Sequence, residues 1–267
     1  MKNVLVLMHD DVGQEARFQV ALDCTRALGG HLTCVDVSIV PEFVGDYADC
    51  GGSAMLIAEE QTREHANREH MEARLKTEGL PYDWIDECGF LSPSFRDAAA
   101  LADLIVLNRE LDEIRYPDMR KLISEVAHKL RKPIIAVPPT ADALDLFGRA
   151  LVAWDGSAQA EAALRAAVPL LQLAGEVTIL EVDDGSLKLP ASEAAEYLSR
   201  HGIKPVVRSE SAAADLPSTI LLDAIAREHA AYLVMGGFGH GGVLEVAFGS
   251  VTKRMLKECP VPLFLAH

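Results

Sequence analysis

Leu151-Val152-Ala153-Trp154-Asp155-Gly156-Ser157 decides the fold, through the helix and strand signals after it and because a similar stretch occurs earlier in the chain. The run begins apolar and of β type, then breaks in a turn of Asp, Gly and Ser. Ala162, Ala163, Ala166, Ala167 and Leu170 to Leu173 recur at helical spacing, Ala174-Gly175 stops the helix, and Val177-Thr178-Ile179-Leu180-Glu181-Val182 reads as a second strand. Strand, helix, glycine stop and strand make a βαβ unit, and uninterrupted apolar strands suit a parallel sheet covered on both faces. Near the N-terminus the same order appears as Val4 to Met8, a helical stretch through Ala16, Val20, Ala21 and Leu28, then Gly29-Gly30 and Leu32 to Val37. The two segments register with a one-residue gap, which sets Asp10 near Asp155, Gly30 on Gly175 and Val37 on Val182.

The ends of the halves agree as well: Asp103 to Leu107 matches Ala231 to Met235, and Pro133 to Val137 matches Pro262 to Ala266. Such self-similarity is a tandem duplication. Second helices (Ala54 to Glu78, Ala191 to Arg200), middle strands (Tyr82 to Ile85, Pro205 to Val207) and third helices (Asp97 to Asp103, Ser218 to His229) complete a βαβαβαβαβ order in each half. The expected class is therefore α/β, with two tandem open parallel-sheet, Rossmann-like domains at residues 1–140 and 147–267. Pro138-Pro139-Thr140-Ala141-Asp142 reads as the linker. At 267 residues, each half is long enough to bury its own core.

Composition narrows the function. With 25 Lys+Arg against 40 Asp+Glu, the net charge of −15 repels polyanions, and no basic cluster overrides it, so nucleic acid is not an expected partner. The first apolar run ends at Met8 before His9-Asp10-Asp11, shorter than the ~7–15 apolar residues of an export signal or the ~20 of a membrane span. A cytoplasmic protein with no membrane partner is expected. Cys24, Cys34, Cys50, Cys88 and Cys259 are odd in number and scattered, as reduced thiols in such a compartment would be.

The chemistry sits after the strand ending at Met235, in Gly236-Gly237-Phe238-Gly239-His240-Gly241-Gly242, with Gly249-Ser250-Val251-Thr252 at the start of the last helix. Gly237, Gly239 and Gly242 satisfy G-x-G-x-x-G, but that fingerprint belongs in the first βαβ turn of a larger domain, not before a final helix and strand. The spacing Gly236-x2-Gly239-x9-Gly249-Ser250 reads better. Gly236 and Gly239 would let the backbone approach a polyphosphate, and Gly249 would allow a sharp turn into a helix whose first amides face an anion. Ser250 and Thr252 would add hydroxyl donors.

This signature, with its Gly-Ser-Val-Thr continuation, resembles the nucleotide-binding motif of the universal stress protein family. The resemblance covers the whole chain in topology and is sharp in the second half alone. It implies that Asp155 lies against the adenosine and that Val182 offers backbone contacts to adenine, with Gly236, Gly239, Gly249, Ser250, Val251 and Thr252 around the phosphates. It implies ATP or another adenine nucleotide as ligand, with or without Mg2+. It also implies that Ile134 to Val137 pairs with Leu263 to Leu265, so that the monomer resembles a dimer, and it leaves homo-oligomers or protein partners open.

In the first half, Asn108-Arg109-Glu110 follows the fourth strand and Arg120-Lys121 stands where Gly249-Ser250 would be, so no nucleotide is expected there. Arg109, Arg120 and Lys121 read as a solvated charged face. His65, Glu69 and His70 lie on one long helix without further ligands at metal spacing, and no metal site is expected. Cys50 reads as an inert loop thiol. No P-loop occurs and Asp155 is the sole evident acid at the motif, so no catalytic residue is assigned and turnover beyond slow ATP hydrolysis is not expected. The sequence thus points to a stress-response protein acting as a nucleotide-regulated interaction module. Two alternatives stay open: an interaction tandem with both sites empty, and a small-molecule carrier using the first half, whose pocket the insertion from Pro41 to Gly52 could line. Trp154, bulky beside the adenosine position, could narrow the site.

Overall fold

The computed structural model describes residues 1–39, 52–109, 119–185, 187–212, 215–237 and 249–267. The first half runs β1 (Asn3–Leu7), α1 (Gln14–Leu28), β2 (His31–Ile39), α2 (Gly52–Glu78), β3 (Tyr82–Gly89), α3 (Leu91–Ala98), β4 (Leu104–Asn108), α4 (Met119–Leu130) and β5 (Ile134–Val137). The second repeats the order as β6 (Arg149–Trp154), α5 (Ala158–Leu171), β7 (Glu176–Asp183), α6 (Ala191–Arg200), β8 (Val206–Ser211), α7 (Pro217–Glu228), β9 (Tyr232–Gly236), α8 (Ser250–Glu258) and β10 (Leu263–Ala266).

All ten strands join one sheet in the order β3-β2-β1-β4-β5-β10-β9-β6-β7-β8. Pairing is parallel within each half, and β5 meets β10 antiparallel with Ile135 opposite Phe264. The final strands therefore pair as the resemblance implied. Strands between two helical layers are buried on both faces, hence the unbroken Leu104-Ile105-Val106-Leu107 and Tyr232-Leu233-Val234-Met235, while edge strands β3 and β8 are largely exposed.

The core does not divide by halves, as duplication suggested, but by sheet face. One cluster packs Phe18 and Leu22 of α1 and Leu164 of α5 on the same side as Val6, Val152 and Phe264; the other packs Phe95, Ile123, Leu221 and Leu256 on the opposite side. The continuous sheet makes each layer span both halves.

Gly30 and Gly175, matched from sequence, share one physical cause. A Cβ at Gly30 would sit 2.5 Å from the Lys2 carbonyl oxygen, and one at Gly175 would sit 2.7 Å from that of Phe147, the residues leading into β1 and β6. Other expectations shift. The third helix of the first half starts at Leu91 and ends in a short 3-10 turn at Ala99–Leu101, because Leu91 and Phe95 anchor it to the core well before Asp97. The middle strands run further than expected, to Gly89 and Ser211. After Pro138, the stretch before β6 is tied down: Leu144 and Leu146 are buried and the Leu144 amide donates to Asp23 Oδ2 at 2.9 Å. Finally, Asp11 rather than Asp10 makes the turn of Asp155. Asp11 Oδ1 accepts from the Gly13 amide and Asp155 Oδ1 from the Ser157 amide, each two residues on and at the start of the next helix.

Candidate functional site

A cavity of about 230 Å³ opens at the carboxyl ends of β6, β7 and β9. That edge is where open α/β sheets bind ligands. Seven of the eight residues expected from sequence line it: Asp155, Val182, Gly236, Gly249, Ser250, Val251 and Thr252. Gly239 lies outside the described residues. Sequence reasoning did not single out the apolar wall of Met235 and Leu221, nor the flank of Pro217, Gln159 and Asp184. Leu221 belongs to the apolar stripe of α7, a pattern that marks a core-facing helix and carries no ligand signal of its own.

Each side of the cavity has a local cause. Ser157 caps α5, its Oγ accepting from the Ala160 amide at 3.2 Å, while Asp155 holds the preceding turn. Gly156 takes φ 68°, and a Cβ there would meet the Leu189 backbone nitrogen at 2.2 Å, so the turn needs glycine twice over. That approach also disposes of Trp154. Its ring is 2% exposed and its Nε1 donates to the Leu189 carbonyl at 2.8 Å, so the indole lines the cavity wall while anchoring the segment before α6.

The glycines of the motif differ in cause from the expectation. A Cβ at Gly236 would lie 2.5 Å from the Ala160 amide nitrogen and 2.6 Å from the Gln159 carbonyl carbon. Glycine there admits the first turn of α5 against the end of β9, a packing requirement. At Gly249 the backbone takes φ −56° and ψ 153°, open to any residue, so a sharp turn does not demand glycine. What Gly249 does supply is an N-cap with no side chain over the helix start. The first backbone bond into α8 is the Lys253 amide to the Gly249 carbonyl at 3.0 Å, which leaves the amides of Ser250, Val251 and Thr252 at the cavity without intrahelical partners. Ser250 is exposed and Thr252 buried. Among the described residues lining the cavity none is basic, and Asp155 and Asp184 are acidic.

The same place in the first half is filled by protein. By strand register Asn108 of β4 corresponds to Gly236 of β9. The Asn108 amide donates to the Gly13 carbonyl at 3.0 Å, and its Oδ1 accepts from Arg17 Nη1. Arg17 is wholly buried: its guanidinium also donates to Asp11 Oδ1 at 2.6 Å and to the carbonyls of Leu7 and His9. A buried guanidinium with a partner on each of its three nitrogens thus occupies the strand ends where the second half keeps a cavity. Glu110 and the Arg120 side chain lie outside the described residues. Arg109 does not belong to a solvated face: it is half-buried, and its Nη1 reaches the Leu256 carbonyl near the C-terminus of α8 at 3.5 Å.

Elsewhere, His65 and Glu69 form an exposed i,i+4 pair at 3.6 Å. Cys50 lies outside the described residues, Cys88 is exposed, and burial pushes the Cys24, Cys34 and Cys259 thiols up, the last to about 11. Among the described residues no helix is long and apolar enough to cross a membrane.

Residues 193–267 match the model of the universal stress protein family. No curated protein matches the chain by sequence. Among solved structures, a universal stress protein from Archaeoglobus fulgidus is similar at TM-score 0.75 and 20% identity, over 98% of this chain and 97% of that one. A Pseudomonas aeruginosa structure of universal stress protein type is similar at TM-score 0.60 and 15% identity, over 100% of this chain and 93% of its own. At these identities the likeness establishes a shared fold across both halves, and the family match adds a sequence tie for most of the second. The resemblance read from the motif and the tandem α/β fold read from the duplication both stand.

Proposed function

We propose that this tandem α/β chain, whose C-terminal segment matches the universal stress protein family, binds one adenine nucleotide, ATP or a relative carried with Mg2+, in its second half. The observation that carries the proposal is the uncapped start of α8 opening into the cavity of β6, β7 and β9. In this reading the base lies against the end of β7 at Val182, Asp155 meets the ribose, and the phosphates run toward the amides of Ser250, Val251 and Thr252, where the helix dipole favours an anion. With no basic side chain among the described lining residues, the phosphate charge falls to those amides and to a divalent ion accompanying the nucleotide.

The proposed role is regulation of protein contacts. One end of α8 faces the cavity, while Arg109 of the first half holds the Leu256 carbonyl near the other. A ligand that favours one position of α8 would thereby bias the contact between halves and the surface shown to a partner. Isothermal titration with Mg2+-ATP, run beside Ser250→Asp, tests this. The variant places an anion in the first turn of α8, favourable for the helix and repulsive to phosphate. One nucleotide per chain, weakened at least about tenfold in Ser250→Asp, is the expected result. No binding by the wild type would leave the interaction tandem with both sites empty as the better reading.

A further inference from the structure

A second group of buried polar side chains lies beside the plugged site of the first half. His9 follows β1, Asp36 belongs to β2, and Glu64 projects from α2; they are 2%, 2% and 3% exposed. One ligand-type atom from each lies within 4.8 Å of the other two. His9 Nδ1 is 3.0 Å from Glu64 Oε1, yet neither it nor Asp36 Oδ1 has a hydrogen-bond partner. Buried polar atoms are nearly always paired, so two orphans aimed into one group ask for a ligand.

The surroundings orient the group. Glu64 Oε2 accepts from the Asp10 amide at 3.2 Å and Asn67 Nδ2 at 3.3 Å, and Oε1 from Arg63 Nη2 at 3.2 Å. Asn67 is fixed in turn, donating to the Met8 carbonyl at 2.7 Å and accepting from Gln14 Nε2 at 2.8 Å. Partners of this kind, one step behind a ligand, set its direction in metal sites. On the open side a cavity lined by Asp36, Glu64, Asp86 and Glu87 provides access through carboxylates, which draw cations.

We propose that His9, Asp36 and Glu64 form a binding site for a divalent transition-metal ion, reached through this acidic cavity. One imidazole with two carboxylates suits the zinc, manganese and cobalt class better than Ca2+ or Mg2+, which take oxygen ligands. Metal–ligand bonds of about 2.0–2.2 Å set neighbouring ligand atoms roughly 3.0–3.6 Å apart, and His9 with Glu64 already meets that spacing. The second half has no equivalent group among the described residues. There Glu181 stands at the strand position of Asp36, and its carboxylate is engaged by the Ala191 amide and the Ser209 hydroxyl.

The test is thermal unfolding of chelator-treated, nucleotide-free protein with Zn2+, Mn2+ or Co2+ added singly. At saturation, at least one of these ions raises the midpoint by roughly 5 °C, and Co2+ gains visible absorption from a nitrogen- and oxygen-ligated centre. Asp36→Asn and Glu64→Gln, both close in shape, abolish the shift, while Ser250→Asp at the other site leaves it intact. Absence of any shift in the wild type overturns the proposal, as does a shift that survives in both carboxamide variants. Neither result bears on nucleotide binding.

Discussion

At the end of β9 the chain places Gly236, and α5 closes against bare backbone; at the end of β4 it places Asn108, which fills the corresponding space and helps hold a buried guanidinium. The two halves share topology, register and even the Asp turn before the first helix. They differ in what satisfies the polar groups at the strand ends. In the first half Arg17 takes the carbonyls of Leu7 and His9 together with Asp11, so the protein supplies its own cation. In the second, the corresponding edge borders a cavity and the start of α8. Where the second half keeps a cavity, a few side chains of the first half turn the same place into core, and that core then depends on them.

The strongest break of the comparison is Arg17→Met. It leaves the buried Asp11 carboxylate without its counter-ion, and we expect a loss of about 3–5 kcal/mol in urea unfolding; a loss below about 1 kcal/mol would mean the plug is not structural. Next comes Gly236→Asn, which writes the first half's residue into the second. Its Cβ meets the first turn of α5, so stability should fall by about 1–3 kcal/mol and nucleotide titration should show no binding. Retained affinity would show that Gly236 is not what keeps the site open.

Smaller changes sharpen the contrast at the helix starts. Ser157→Ala removes the cap of α5 and should cost about 1 kcal/mol, measured in the same unfolding assay, whereas Gly13, at the start of α1, has no capping side chain to lose. The smallest effect concerns the outer helices. Glu15 of α1 pairs with both terminal nitrogens of Arg74 on α2, and that hydrogen bonding, against an opposing contribution from burial, brings the Glu15 carboxyl down to about 2. Its folded value lies below the ordinary 4.5, so its stabilisation is present above that pH and lost as pH falls toward 2. Because the side chain is 59% exposed, Glu15→Gln should cost less than about 1 kcal/mol at pH 7, and the gap from wild type should close on acidification. At the α5–α6 contact Arg165 lies over the Tyr197 ring and pairs with Glu161 of its own helix.

Much of the second-half site was legible because its residues sit on short segments with strong local rules. Asp155-Gly156-Ser157 ends a strand and starts a helix, and Gly249-Ser250 starts another, so spacing alone located them at one sheet edge. Met235, Leu221 and Pro217 were not legible as site residues, because an apolar side chain facing a cavity reads the same as one facing a core. Arg17 was missed for a related reason. On a helix otherwise read through its alanines and leucines, an arginine implies solvent, and the acceptors that bury it come from the ends of β1 and β4 and from the turn after β1.

By itself the sequence determined the duplication, the strand and helix order, and the glycine motif, since periodicity, turn chemistry and close backbone approach act over a few residues. Tertiary structure decided what depends on distant partners. The antiparallel β5–β10 contact merges two sheets into one, so each core layer crosses both halves. Packing within each half sets Asn108 where Gly236 has its counterpart, and in the first half it brings His9, Asp36 and Glu64 from three elements into one buried group. Burial and pairing are properties of the packed chain, and only packing tells a charged residue at the surface from one sealed inside.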